Sequence, residues 1–499
     1  MNWGALKFKA KARAHSSGVV PEVQAFFKLA VPLAIAQIAQ FAVGFVDTIM
    51  MGHLSTASLA AGGLASTTFQ MSLTVVSGFV MSVGVLAAEA YGANNKQHLT
   101  GLARQGLWLS LLLAIPFTAL LWNMTPVLRG LRQPDTVIML AQQYFSGVSL
   151  GVLPALGFTM LRGYLSAFSL AGIVTVIVSI GTVFNIACNY VLGFGKFGFP
   201  RLELMGLGLG SSLSLWLMFG LFSGYILRHR ELKHYRFWRG WKHPNATILR
   251  RLITVGTPIA ITSTMELGLF SAVSYMAGSL GTEVLAAHQV AFQTMALIFM
   301  VPLGMSQAVT ARVGLWFGRE SAVGSEPEEN RAGARRAGFV AISSGGLFLL
   351  FTGVGLAIVR RFMVGLFIDL ADPQNATVVA LAMNLLLVSA IAQMLDGIQR
   401  IAMSALYGLQ DTRVPMILSA IAFWGIGLTS GYALCFLVDW GVIGLWIGQY
   451  TGIAVGCIIF VWRFYRLTRP ALIKRRYYWA IALSILTASA ELPIVTGRQ

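Results

Sequence analysis

Charge is scarce in this chain. Of 499 residues only 11% are Asp, Glu, Lys or Arg, against 56% hydrophobic, and the mean hydropathy is +0.73. Soluble domains carry roughly 25% charged residues, so this surface is not built to face water. Cysteine is scarcer still. Cys188, Cys435 and Cys457 each fall inside an apolar run with no paired spacing, which argues against a disulfide framework and against a metal site. Catalytic signatures are missing as well: there is no HExxH and no Ser/His/Asp arrangement, so no enzyme is expected. The nearest approach to a phosphate loop, Gly195-Lys196, runs on into Phe197 rather than Ser or Thr. Gly206-Leu207-Gly208-Leu209-Gly210 has no preceding strand and reads as close helix packing. His53 and His288 stand alone at span ends and read as polar structural residues.

What is present is apolar length. Runs of the roughly 20 residues that suit a bilayer core recur along the whole chain. Bounded by Gly, Pro and charge, they fall near 26–51, 59–88, 105–125, 138–162, 171–194 and 205–227, then 252–277, 284–311, 337–359, 376–406, 415–438 and 441–462. The run from 26 is too long for a signal-peptide core and lacks a cleavage site, so it reads as a retained first span. A stretch from Tyr477 to Ala490 is too brief for a span and is expected to be cytoplasmic or interfacial.

Acids number 18 against 36 Lys and Arg, a net charge of +18. Such an excess invites a nucleic-acid reading, but the basic residues lie between apolar segments, not on one soluble face. Six of them (Arg129, Arg132, Lys196, Arg201, Arg360 and Arg361) fall in the loops of one side, and the other 30 lie in or lean toward the opposite side. This is the positive-inside asymmetry, which places both termini and the loop 228–251 in the cytoplasm. The partners it implies are a lipid bilayer and no nucleic acid.

The chain is also a duplication. At a constant offset of 226, Pro32 meets Pro258, Gly52 meets Gly278, Leu59-Ala60-Ala61 meets Leu285-Ala286-Ala287, Gly78 meets Gly304 and Gly92 meets Gly318. Glycine and proline carry much of this match, so the halves share backbone geometry and not merely apolarity. Each half holds an even number of spans and keeps the same orientation, which relates the halves by an axis along the membrane normal. The expected fold is an all-α membrane protein of about twelve transmembrane helices in two six-helix bundles. Its expected organisation is a tail 1–23, a lobe 24–227, a basic linker 228–251, a second lobe 252–468 and a tail 469–499.

Four acids fall within spans: Asp47, Glu89, Glu266 and Asp396. A carboxylate in hydrocarbon costs about 2.5–3.5 kcal/mol even on the gentlest scale, so these must face a cavity or a partner. Glu89 lies within a turn of the polar Gly92–Asn95 loop and can snorkel. Glu266 lies about 22 Å of helix beyond Arg251 and about 18 Å before Gly278, at mid-membrane. Asp47 corresponds through the offset to Val273, two turns beyond Glu266, so both acids are expected to look into the cleft between the lobes. Asp396 is equally deep, and Arg400 one turn on is its expected ion-pair partner. Burial disfavours the charged form of a carboxylic acid, so a deep one can cycle a proton, and its oxygens can join amide oxygens in holding sodium. Asn185 and Asn189, at i and i+4, offer such oxygens. Gln40, Phe270 and Arg400 are the candidate residues of the substrate cleft, Phe270 because it shares the face of Glu266 and can meet a planar cation.

Several stretches resemble the multidrug and toxic-compound extrusion (MATE) family, in its NorM-type branch. They are Val46-Asp47-Thr48 with Gly52, Met265-Glu266-Leu267, Ala286-Ala287-His288-Gln289-Val290-Ala291, and Arg312-Val313-Gly314 with Gly318. Longer matches run from Asn185 through Asn189-Tyr190 to Gly195-Lys196-Phe197-Gly198, and from Asp396 through Gln399 to Gly408 and Asp411-Thr412-Arg413. The resemblance covers about residues 24–468. It implies a V-shaped pair of bundles in the cell inner membrane, acting as a monomer without cofactor. Such a protein exports small organic cations by antiport against sodium or protons. It further implies that Asp47, Glu266 and Asp396 are the coupling acids and that Asn185 belongs to a first-lobe cation site, with Asn189 where other branches have Asp. Arg400 departs from the pattern, which usually has an apolar residue there. The alternative within the superfamily is a flippase for a lipid-linked precursor, which would want a more cationic cavity.

Overall fold

The computed structural model describes residues 18–469 except 230, 231, 233–243, 323 and 371. Most of the linker 228–251, residues 1–17 of the first tail, nearly all of the tail 469–499 and the stretch Tyr477–Ala490 therefore lie outside the described residues. Among the described residues there is no strand. Eleven helices among the described residues are long and apolar enough to cross a membrane. In order they are Val19–Leu54, Thr56–Gly92, Lys96–Trp122, Ala171–Phe194, Glu203–Arg228, Ala246–Ser279, Thr282–Glu320, Pro327–Gly365, Pro373–Gly408, Arg413–Leu437 and Gly441–Leu467. Between the third and fourth of these, Asp135–Ser149 and Val152–Ala167 together make one more span, bent by 51°. Counting that pair as the fourth, the spans number twelve, in two bundles of six. Several run to 36 residues or more, about 54 Å of helix, well beyond a hydrocarbon core of about 30 Å.

The break in the fourth span has a local cause. Gly151 lies so close to the sixth span that an added Cβ would meet Ser212. A bend frees backbone carbonyls that hydrocarbon cannot satisfy, and the sixth span supplies the missing donors. The hydroxyl of Ser212 donates to the carbonyl of Gly147 at 2.7 Å and the indole of Trp216 donates to that of Leu150 at 3.1 Å. The Gly206–Gly210 run is the packing surface expected of it: side chains there would collide with the backbones of Leu192 and Tyr144 and with the side chain of Asn189. Gly195 ends the fifth span as a left-handed cap at φ 65°, a conformation that costs glycine nothing.

The matched glycines of the repeat are where the lobes touch. A Cβ on Gly78 would run into the backbone of Ala260, and one on Gly304 into the backbone of Ala34. Ala260 is the counterpart of Ala34 at the same offset of 226, so each contact is the image of the other. Gly92 against Leu315 and Gly318 against Glu89 form a second such pair, Leu315 being the counterpart of Glu89. Within one chain this is the self-complementary contact that a two-fold axis demands.

The lobes are joined at one end only. One apolar core runs through the first lobe and on into the second-lobe residues nearest the described termini, from Met305 to Trp316 and from Ile401 to Tyr407. A second core, with Leu269, Val273, Leu385 and Trp446, is confined to the far half of the second lobe. The bundles thus meet on the side of the termini and part on the other. Gly304→Val should destabilise the protein by on the order of 1–3 kcal/mol, because the interlobe backbones cannot separate without loosening the core. Gly355→Val, with nothing near its Cβ, is the control. Equal melting temperatures for the two variants would contradict the contact.

Candidate functional site

Asp47, near the far end of the first span, is buried at 7% exposure. The amide of Asn189 donates to its Oδ1 at 2.7 Å and also to Asn185 Oδ1 at 3.2 Å, so one amide nitrogen ties the three residues together. Asn185 in turn donates toward the hydroxyls of Ser211 and Ser214 at 3.3 and 3.4 Å, and Tyr144 of the fourth span lies beside Asp47 and Ser211. Asn189 Oδ1 is buried without a hydrogen-bond partner. An orphaned buried carbonyl is costly unless something completes it. The missing side chain of Gly210 is what allows Asn189 to sit there. The sequence-predicted trio of Asp47, Asn185 and Asn189 is therefore one cluster, but it lies inside the first lobe and not on the cleft.

The second-lobe acids are arranged otherwise than the spacing suggests. Arg400 Nη1 donates to Glu266 Oε2 at 2.5 Å, and the two side chains are 13% and 14% exposed. The expected pair of Arg400 with Asp396 is not made. Helical spacing offers only neighbours on the same helix, whereas tertiary packing brings a carboxylate from the seventh span within direct reach of the guanidinium. Asp396 is buried at 7% exposure, near Glu266 and Arg400 and beside Tyr450 and Cys457. Phe270 packs on Phe292 with ring centroids 5.7 Å apart, and Phe292 lies over His288. His288 is held by Ser274 and Trp446 at 2.8 and 3.0 Å, a polar structural role. Phe270 thus belongs to an aromatic cluster within the second lobe.

A cavity of about 730 Å³ does lie between the lobes, open in part to solvent. First-lobe residues Met81, Thr159 and Arg162 line it opposite second-lobe residues Gln307, Arg400 and Tyr407. Asp47, Glu266 and Asp396 are not among its lining residues, though Glu266 pairs with the lining residue Arg400. Gln40 reaches it indirectly, for Arg162 Nη1 donates to the oxygens of Gln37 and Gln40, each at 2.8 Å.

Two further carboxylates, Glu22 and Glu89, bridge the lobes through partners that span counting could not show. The first span begins at Val19, inside the expected tail, and carries Glu22 with it. Arg312 of the eighth span grips Glu22 with Nε at 2.8 Å and Nη2 at 2.7 Å, and the indole of Trp316 donates to the same carboxylate at 3.2 Å. Glu89 does not snorkel to water; it accepts from Arg251 at 3.3 Å and from Gln410, both in the second lobe. A charged residue just outside an apolar run was the available signal, but its partner lies 290 positions away.

A family model described as MatE matches residues 32–191 and 258–433, and the two stretches start 226 residues apart. A Synechococcus protein described as a probable multidrug resistance protein NorM is 47% identical over 91% of this chain and 96% of its own length. A Synechocystis protein of the same description is 43% identical over 90% of this chain and 96% of its own. The Burkholderia vietnamiensis multidrug resistance protein NorM is 37% identical over 88% and 93%. Among solved structures, an outward-facing multidrug resistance MATE family transporter of the MOP superfamily superposes with a TM-score of 0.78 at 19% identity, over 90% of this chain and 96% of its own. A eukaryotic MATE transporter gives 0.76 at 19% identity, over 89% and 95%.

Proposed function

The chain belongs to the MATE family, and from that premise we propose that it exports small organic cations across the cell inner membrane in exchange for sodium or protons flowing inward. The lobes, residues 24–227 and 252–468, rock about their glycine contact and open the cleft to each side in turn. Both tails and the linker 228–251 lie in the cytoplasm, and the protein works as a monomer without cofactor. The NorM descriptions of its relatives support efflux of drugs.

The observation that carries the ion coupling is the first-lobe cluster. Asp47 supplies a buried charge, and Asn189 Oδ1 supplies an acceptor with no protein donor. A sodium ion wants such oxygens, and a proton wants the carboxylate. Glu266 and Asp396 are the deep acids of the second lobe, where Arg400 already stands as one cation against Glu266. Export of a lipophilic cationic dye from everted vesicles, with sodium and pH gradients imposed separately, tests this reading. Export that ignores both gradients would overturn it. Asp47→Asn should reduce gradient-driven export at least tenfold, since 1.4 kcal/mol of lost coupling already does so. Adding Asn185→Ala should cost little more, because Asn189 ties both residues to one site. Independent, additive losses would separate them.

The flippase alternative gains one observation, a cavity lined by two arginines, Arg162 and Arg400, and by no acid. Export of a water-soluble dye favours the drug transporter.

A further inference from the structure

Arg162 stands in the fourth span, beyond the break, and lines the interlobe cavity. Hydropathy places it at a span end, where a basic residue would be solvated; the structure instead has it half-buried. Its Nη1 is spent on the two carbonyl oxygens of Gln37 and Gln40, and the ring of Phe158 lies 5.4 Å from its Cζ. Amide oxygens orient a guanidinium but do not neutralise it. Among the described residues Arg162 makes no ion pair, and its Nε and Nη2 donate to no protein group. That Nε/Nη2 edge is the fork that accepts a carboxylate side-on through two parallel hydrogen bonds.

The rest of the lining fits the same ligand. Arg400 also faces the cavity, with its charge answered by Glu266 but its Nε buried and without a partner. Ser263 and Ser404 add hydroxyls that can donate, and no carboxylate among the lining residues competes for them. A cavity rich in donors and positive charge is complementary to anionic oxygen.

We propose that the interlobe cavity binds the anionic group of its substrate, a carboxylate on a small amphiphile, through the Nε/Nη2 edge of Arg162. The inference deepens the efflux reading and rests on it for the cavity being the transport path. Its substrates then carry a carboxylate as well as a cationic or aromatic part. Gln37 and Gln40 act as positioning residues that hold the fork toward the cavity.

Two rhodamine dyes that share one ring system, one with a free carboxylate and the other its ethyl ester, separate the possibilities. Fluorescence anisotropy on the purified full chain reads their dissociation constants, and everted vesicles read their export. In Arg162→Gln, which preserves a hydrogen-bonding amide, the carboxylate dye should bind and move about tenfold less well, as loss of a charge-assisted hydrogen bond predicts. The ester should lose markedly less than the carboxylate dye. Arg162→Lys, which keeps the charge without the fork, should fall between. An equal loss for both dyes, or no loss for either, would overturn the assignment. So would Arg162-dependent translocation of a short-chain fluorescent phosphatidate while the carboxylate dye is indifferent to the mutation, which would assign the arginine to a lipid headgroup. Wild-type protein that fails to export the ester would sink the efflux reading instead, and binding of the two dyes would still report on Arg162.

Discussion

Glu266→Gln is expected to abolish gradient-driven export and to lower thermal stability, and adding Arg400→Leu should restore the stability but not the export. Two separate physical effects are superimposed at this carboxylate. As a charge, Glu266 is the partner of Arg400 at 2.5 Å, with both side chains largely out of water. Removing one member of a buried pair leaves the other uncompensated, at a typical cost of about 3–5 kcal/mol. The lower end applies here, because a glutamine can still accept from the guanidinium. As an acid, Glu266 is one of the groups that the proposed cycle loads and unloads. Leucine at 400 removes the stranded cation, so the double variant carries no unpaired charge and should melt near wild type. It has also lost its exchangeable acid and should stay inactive. Melting of the purified variants, together with dye export at matched membrane levels, decides the matter. Near wild-type export by Glu266→Gln would remove Glu266 from the coupling machinery. Arg400→Leu alone should behave as a lesion of Glu266, not as a release of Asp396, because Arg400 is bound to the former.

Arg312→Ala should be the most destabilising of the single substitutions considered, by about 3–5 kcal/mol, since it strands a buried carboxylate. Glu22 and Arg312 are 5% and 3% exposed and joined by two hydrogen bonds, with Trp316 adding a third to the acid. The pair also crosses from the first lobe to the second on the side of the termini. Any movement that opens the cleft to that side must break it, together with the Glu89–Arg251 and Glu89–Gln410 contacts. Glu22→Leu with Arg312→Leu replaces the pair by apolar volume, an exchange that is often neutral or stabilising for the fold. The closed state then loses its ionic contact, and the terminal side should open more often. A cysteine placed at Thr310, which lines the cavity, in a chain whose three native cysteines are serine, should react faster with a maleimide supplied from that side. Arg312→Ala with an unchanged melting temperature, or a double variant with unchanged labelling, would show that the pair neither holds the lobes nor guards the cavity.

The spans, the repeat and the identity of the deep acids were legible in the sequence because each has a local or periodic signature. Apolar runs report the bilayer thickness directly. Gly78 with Gly304 and Gly92 with Gly318 stood out through a fixed offset, and their meaning emerged when each glycine met the other lobe's backbone. Asn185 and Asn189 were found by i, i+4 spacing, and the structure brings Asp47 to them from 142 positions away. What local patterns could not supply was the choice of partner for a charge. Arg400 has an acid one turn away on its own helix and takes another from the seventh span. Glu22 looked like tail because hydropathy falls before a helix ends. Arg162 is only the last residue of the apolar run 138–162 in the sequence, yet it faces a cavity formed only when the two lobes come together. Hydrophobic periodicity is a property of one helix and its solvent, so one-dimensional patterning determined the elements and their number. Ion pairing in low dielectric depends on which groups lie within a few ångströms, and only the packing of helix on helix decided that.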